Sequence, residues 1–353
     1  MKTALILCCA LLACRCPAQT LGGNSVFNFL KLSHTPQLSA LGGINLSQPS
    51  SDVGLAFSNP ALVNQSMHSQ MNAVFNDFYS AVKQYHLSLA YHHGRSATSW
   101  SWGMNYMDYG LITGTDASGN IYGQLRPVDW VMQVSASKKY LSKWNYGVSL
   151  KFIRSDYGEY RSSGIAADVG VLYSDSARGI TASVAVRHLG FQLRPYDGSS
   201  RDDLPFDLQA GITKRLAHAP LSFSLTAQQL HRFDISYNDT SFNNENGLEN
   251  ASMKKFSADK LLRHLVAAMT VYIGDHLEAY AGYNFLRRRD LTIGAEGNGW
   301  TGFSIGAALL FEKIQIRYAR AYYQPAAAYN QFGLNLPLNR YFGLGKWGER
   351  IGW

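Results

Sequence analysis

From Ser69 onward the chain falls into segments of about ten residues in which apolar and polar side chains alternate, the period of a β-strand whose two faces meet different surroundings. Between Thr301 and Phe311, Phe303, Ile305, Ala307, Leu309 and Phe311 share one face, while Gly302, Ser304, Gly306 and Ala308 share the other. Tyr146, Val148, Leu150 and Phe152 likewise oppose Gly147, Ser149 and Lys151, and Ile165, Ala167, Val169 and Val171 oppose Gly164, Ala166, Asp168 and Gly170. The pattern predicts strands over 70–80, 82–92, 97–109, 127–139, 143–157, 163–174, 179–190, 206–215, 219–231, 262–273, 276–287, 301–311, 314–323 and 329–337. Connections after odd strands tend to be long (110–126, 191–205, 232–261, 288–300), and those after even strands are short; the tight first hairpin near Ser80 departs from the trend. Long loops at one end and tight turns at the other characterise an outer-membrane barrel.

A β-sandwich would alternate in the same way, so the polar face decides between them. It carries Asp129, Lys151, Asp168, Arg187, Asp207 and Arg317 in mid-strand among many Gly and Ser. Such charges are costly in the core of a sandwich and tolerable in a hydrated lumen. Closure also pairs every strand edge, which hydrocarbon requires. The expected fold is therefore all-β: a transmembrane antiparallel β-barrel of about 14 strands over residues 69–337. Tyr109, Tyr140, Trp144, Tyr157, Tyr173, Tyr318, Tyr322 and Tyr323 lie near strand ends, where aromatic girdles form.

Ahead of the barrel, residues 1–18 read as a cleaved signal peptide: Lys2 gives a cationic start, Ala4 to Ala13 an apolar core, and Cys16-Pro17-Ala18 a small-residue cleavage site. Leu11-Leu12-Ala13-Cys14 supplies the alternative of a lipoprotein signal. All four cysteines fall in this segment, so cleavage after Ala18 leaves no disulfide for the mature chain. Residues 19–68 lack sustained alternation and are too few to form a core alone. They are expected to plug the barrel or cap its periplasmic mouth, with a short helix over 25–32 and turns at Gly22-Gly23, Gly42-Gly43 and Asn59-Pro60. Residues 338–353 form a C-terminal tail. The formal charge of +8 loses Lys2 and Arg15 to become +6 on processing, a mild basicity suited to anionic lipid neighbours, including lipopolysaccharide. Only 16% of residues are charged and 46% are hydrophobic, which excludes a disordered chain.

Catalytic patterns fail on context. Gly302-Phe303-Ser304-Ile305-Gly306 matches a hydrolase nucleophile elbow, which needs a strand-to-helix turn, yet it sits inside an uninterrupted alternating strand. Ser135 to Lys138 and Ser252 to Lys255 match the S-x-x-K pattern of penicillin-binding enzymes, but no K-T-G accompanies them. The ten His are scattered without metal-ligand spacing. The run Arg287-Arg288-Arg289 falls in a predicted loop, solvated or facing lipopolysaccharide rather than nucleic acid. No enzyme activity, cofactor, metal or nucleic-acid partner is expected.

Several stretches in order carry a resemblance: Gly22-Gly23 with Val26-Phe27 and Phe29-Leu30, then Ala40-Leu41-Gly42-Gly43, Asp52, and Phe57 with Asn59-Pro60-Ala61. Leu204-Pro205-Phe206, Gly282-Tyr283-Asn284-Phe285, Tyr318-Ala319-Arg320 and Phe332-Gly333-Leu334 follow. Together they resemble the PorQ family of the Bacteroidota type IX secretion system, whose PorV relatives share single motifs. The resemblance implies a FadL-like outer-membrane barrel in a surface attachment complex. It would anchor a PorZ-like surface protein beside a PorU-like sortase and a PorV-like barrel, for attachment of cargo to anionic lipopolysaccharide. The long loops, chiefly 232–261 and 110–126, are then the expected docking surface, with Asn238, Asp239, Phe242 and Asn250 as candidates. The alternative is a FadL-like channel for small hydrophobic molecules, gated by the N-terminal segment.

Overall fold

The computed structural model describes residues 25–79, 81–115, 118–235, 258–290, 300–323 and 328–342. The predicted signal peptide, Gly22, Gly23, Asn238, Asp239, Phe242, Asn250 and most of the tail lie outside them. Among the described residues sixteen strands are formed: β1 Gln70–Asp77, β2 Lys83–His93, β3 Thr98–Asp108, β4 Ile112–Thr115, β5 Ile121–Leu125, β6 Val128–Tyr140, β7 Trp144–Tyr157 and β8 Tyr160–Asp175, then β9 Ile180–Arg194, β10 Asp207–Arg215, β11 Leu221–Ala227, β12 Leu265–Ile273, β13 Leu277–Asn284, β14 Phe303–Leu310, β15 Gln315–Tyr322 and β16 Ala328–Pro337. Fourteen of them close into one antiparallel barrel, with β3 pairing β6 and β1 pairing β16 from Gln70↔Pro337 to Asp77↔Asn330. Strands β4 and β5 form a separate hairpin, so the connection 110–126 expected to be a loop carries structure of its own.

Alternating exposure fixes the two faces. On β7, Val148, Leu150 and Phe152 are 51%, 71% and 41% exposed, while Ser149 and Lys151 between them are 2% and 3% exposed. Bulky apolar side chains thus point away from the barrel axis, where only hydrocarbon can cover them. Short turns, including 94–97, 141–143 and 274–276, gather with the start of β1 and the end of β16 at one end. That end is periplasmic by the usual asymmetry of such barrels, and the long connections mark the outer end.

The sequence pattern departs from the structure in instructive places. The predicted strand 276–287 stops at Asn284, and residues Phe285–Asp290 turn into a helix, so the arginine run is not a solvated loop: Arg287 is buried, and Arg289 pairs with Asp259 at 2.8 Å. Tyr109, Tyr157 and Tyr323 turn inward, leaving Tyr140 and Trp144 on the outer surface. Residues 25–68 occupy the lumen, and their side chains are nearly all buried from Val26 to Val63. The polar wall faces this segment instead of bulk water.

Candidate functional site: the plugged lumen

The luminal segment spans the barrel from end to end. It leaves β1 at the periplasmic mouth, where Met67, Val63, Ala56 and Val53 pack on Ala90. At the other extreme the Val26 amide donates to the carbonyl of Asp203, in the outer connection before β10. Between them Thr35 caps the short helix Pro36–Ala40 by accepting from the Leu38 amide, and Pro36 sits at its first turn, where no amide donor is needed. Asp52 and Asn59 cap the following 3-10 turns at Val53–Phe57 and Pro60–Leu62.

Three clusters of polar contacts hold this plug to the wall. In the first, Gly42 and Gly43 turn the chain at φ +90° and +89°, a region that favours glycine. The Gly42 amide donates to Ser304 Oγ at 3.1 Å, and Ser304 Oγ donates to the Ala40 carbonyl at 3.0 Å. Asn284 and Arg287 both donate to the Gly42 carbonyl, and the Arg287 guanidinium lies 3.7 Å over the Tyr323 ring. The Ser304 of the hydrolase-like pattern is therefore a wall residue that binds plug backbone on an unbroken strand.

The second cluster centres on Asn59. Its Nδ2 donates to the Leu46 carbonyl at 3.0 Å and to Ser183 Oγ at 2.8 Å, while its Oδ1 accepts from the Ala61 amide. Beside it, a Cβ built at Gly147 would lie 2.4 Å from the Pro60 carbonyl carbon, and one at Gly170 would lie 2.0 Å from Asn59 Oδ1. Gly282 gives the same close approach to Gly42, at 2.2 Å from its nitrogen. Mid-strand glycines on the luminal face are notches into which plug backbone fits.

Phe57 forms the third cluster. Its carbonyl accepts from Arg187 Nη2 at 3.2 Å and Lys151 Nζ at 3.5 Å; its ring meets His86 edge-on at 4.6 Å and His34 at 5.1 Å. Lys151 pairs with Asp168, both essentially inaccessible. A bulge in β9, with His188 at φ 55°, lets the His188 amide donate to Asp168 at 2.8 Å and turns both Arg187 and His188 inward. Lys151 and Asp168 thus satisfy one another, and the Phe57 carbonyl of the plug accepts from both Lys151 and Arg187.

Above this polar middle lies an apolar cluster, with buried Asp129 beyond it accepting from the Tyr109 and Tyr157 hydroxyls. Phe27, Phe29 and Leu30 pack with Met107, Val131, Ile153 and Leu204, flanked by Tyr109 and Tyr196. Of the turn residues expected from the sequence, Gly42 and Gly43 thus meet the wall at β13 and β14, and Asn59 and Pro60 meet it separately at β7 to β9. Sequence reasoning placed Arg287 in a solvated loop run and read the wall glycines as part of a small polar face, assigning neither to the plug. The glycines' one signal was their repeated place on polar strand faces, and Arg287 had none. Among the described residues no group of three or more His, Cys, Asp or Glu could hold a metal ion.

No protein-family model and no curated protein matches the chain. Solved structures do. The TodX monoaromatic hydrocarbon channel, in a deltaS2S3 mutant, aligns with a TM-score of 0.50 at 12% identity over 86% of this chain and 97% of its own. CymD, another monoaromatic hydrocarbon channel, aligns with a TM-score of 0.50 at 12% identity over 87% and 97%. A Pseudomonas aeruginosa FadL homologue gives 0.45 at 10% identity over 86% and 97%. At such identities the likeness is one of fold: with its apolar outer face, the chain is a closed transmembrane antiparallel β-barrel.

Proposed function

We propose that the protein is a non-enzymatic channel for small apolar molecules, with the luminal segment as its gate. The observation that carries this reading is the apolar outer cluster of Phe27, Phe29, Leu30, Met107, Val131, Ile153 and Leu204. It lies inside a barrel whose fold is shared with channels named for monoaromatic hydrocarbons. An apolar solute leaving water for these side chains gains roughly 25 cal/mol per Å² of surface buried. The polar plug contacts below act as the closed gate. The test is uptake of a labelled monoaromatic hydrocarbon by cells with and without the protein. Deletion should lower uptake several-fold, and Ile153→Asp should lower it with the barrel still folded; equal uptake in all three strains would refute the channel.

One feature favours a second reading, docking of a surface protein. Leu111, Ile112 and Ile121 on the outer β4–β5 hairpin are 68%, 47% and 72% exposed, and exposed apolar side chains clustered on a hairpin fit a protein contact. In that reading the partner is the PorZ-like protein of an attachment complex, and the tightly notched plug is a static filler. Ile112→Ser with Ile121→Ser, or deletion of residues 238–251, should then release the partner in a pull-down from a folded barrel. Full recovery of the partner from both variants would remove this reading.

A further inference from the structure

The lipid-facing wall is not uniformly bulky. Across β8 to β12 the outward positions Ala182, Ala210 and Ala227 are small, and larger side chains, with Trp144 and Tyr173 at one end and Leu225 beside the floor, border them. The result is an apolar recess of about 460 Å³ that runs from the periplasmic rim toward the outer half of the membrane. It would hold no more than about one turn of a helix 10–12 Å across. A flexible chain fits this shape better than a folded element.

The charge on the rim points to the rest of the occupant. Under β6 to β11 the described turns and strand ends carry exposed Lys138, Lys139, Lys143, Arg178, Lys214 and Arg215 against Asp175. Asp175 is taken by Lys143, at 2.7 Å. Under β12 to β15 the rim instead carries Asp275, Glu278 and Glu312 beside Lys313 and Arg340. Basic charge is therefore gathered on the sector below the recess. Lys214 shares the outward face of β10 with Ala210 and Ile212, and its Nζ donates to the backbone carbonyl of Arg178, which brings the exposed turn carrying Arg178 next to the foot of the recess.

We propose that this recess binds one anionic phospholipid of the periplasmic leaflet, with an acyl chain over Ala182, Ala210 and Ala227 and the phosphate at Lys214 and Arg178. Apolar transfer contributes nothing to the choice, because the acyl chain already lies in hydrocarbon. Shape selects a lipid chain over protein, and basic residues near the surface select an anionic headgroup. The proposal depends on the barrel lying in a membrane and not on what passes through its lumen.

Native mass spectrometry of the detergent-purified full chain, titrated with phosphatidylglycerol or phosphatidylethanolamine, tests it. The wild type should retain one phosphatidylglycerol at least fivefold more strongly than phosphatidylethanolamine. Ala210→Trp fills the floor and should lose that adduct, and Ala227→Phe does the same from a neighbouring strand should the first variant not fold. Lys214→Gln with Arg178→Gln should keep lipid binding but erase the preference between headgroups. Equal retention of the two lipids by the wild type would overturn the proposal. So would unchanged phosphatidylglycerol binding after the recess is filled, or a lipid-free dimer that Ala210→Trp dissociates.

Discussion

A single added methyl group is the sharpest probe of how the lumen is filled. The Cβ of Gly282→Ala would sit 2.2 Å from the Gly42 nitrogen and 2.5 Å from the Leu41 carbonyl carbon, both backbone atoms that no rotamer change can move aside. Overpacking of this kind costs typically 1–3 kcal/mol, so the variant should unfold at lower temperature in a heat-modifiability assay, and an unchanged transition would contradict the notch. Gly94, whose Cβ would meet nothing within 4 Å, provides the control, and Gly94→Ala should leave the transition in place. Lys151 and Asp168 pose the electrostatic counterpart. Lys151→Met leaves a buried carboxylate without its cation, at a cost of about 3–5 kcal/mol, whereas Lys151→Met with Asp168→Asn should recover most of that loss. Both effects are read from the same thermal transition, and a double variant as weak as the single one would show that the pair is not coupled.

Among the elements, β9 shows what a period of two can and cannot reveal. The strand alternates cleanly from Ile180 to Val186, and that part is legible in the sequence. At Arg187-His188 two consecutive side chains are buried, and the outward face resumes at Leu189. A bulge inserts one residue, and its trace in the sequence is a shift of the apolar positions from Val184 and Val186 to Leu189, Phe191 and Leu193, which a predicted strand ending at 190 stops too early to expose. Removing His188 should close the bulge and set Arg187 alone opposite Asp168, so that Leu189 and Phe191 keep facing lipid. The folded, heat-modifiable species is expected to survive, and its loss would show that the bulge itself is required. The fourteen barrel strands were readable because lipid imposes a strict alternation on each. The β4–β5 hairpin was not, since its short strands stand apart from the barrel wall and no such constraint acts on them. The helix Phe285–Asp290 stayed hidden because Arg287 is ordered by the plug and Arg289 by Asp259, contacts from distant parts of the chain that local pattern does not encode.

For the molecule as a whole, the plug ties both ends of the barrel into one closed object. Gly42-Gly43 and Asn59-Pro60 were legible as turns, but which wall strand each meets depends on a closure that brings β1 beside β16, some 260 positions apart in sequence. The same geometry constrains how the protein is made. The segment ending at His68 is continuous with β1, threads the whole lumen and is notched into wall strands from β3 to β16. A cork of this shape must be seated before the last stave is joined. A barrel produced from residue 69 onward and then offered residues 19–68 as a separate polypeptide should therefore keep conducting ions across a planar bilayer. Blockage on addition would show that a finished cylinder can be stoppered from outside. If it cannot, the earliest-translated part of the mature chain has to wait, unhooped, for the final hairpin to arrive, and any factor that folds this protein must leave the seam between its first and last strands open until then.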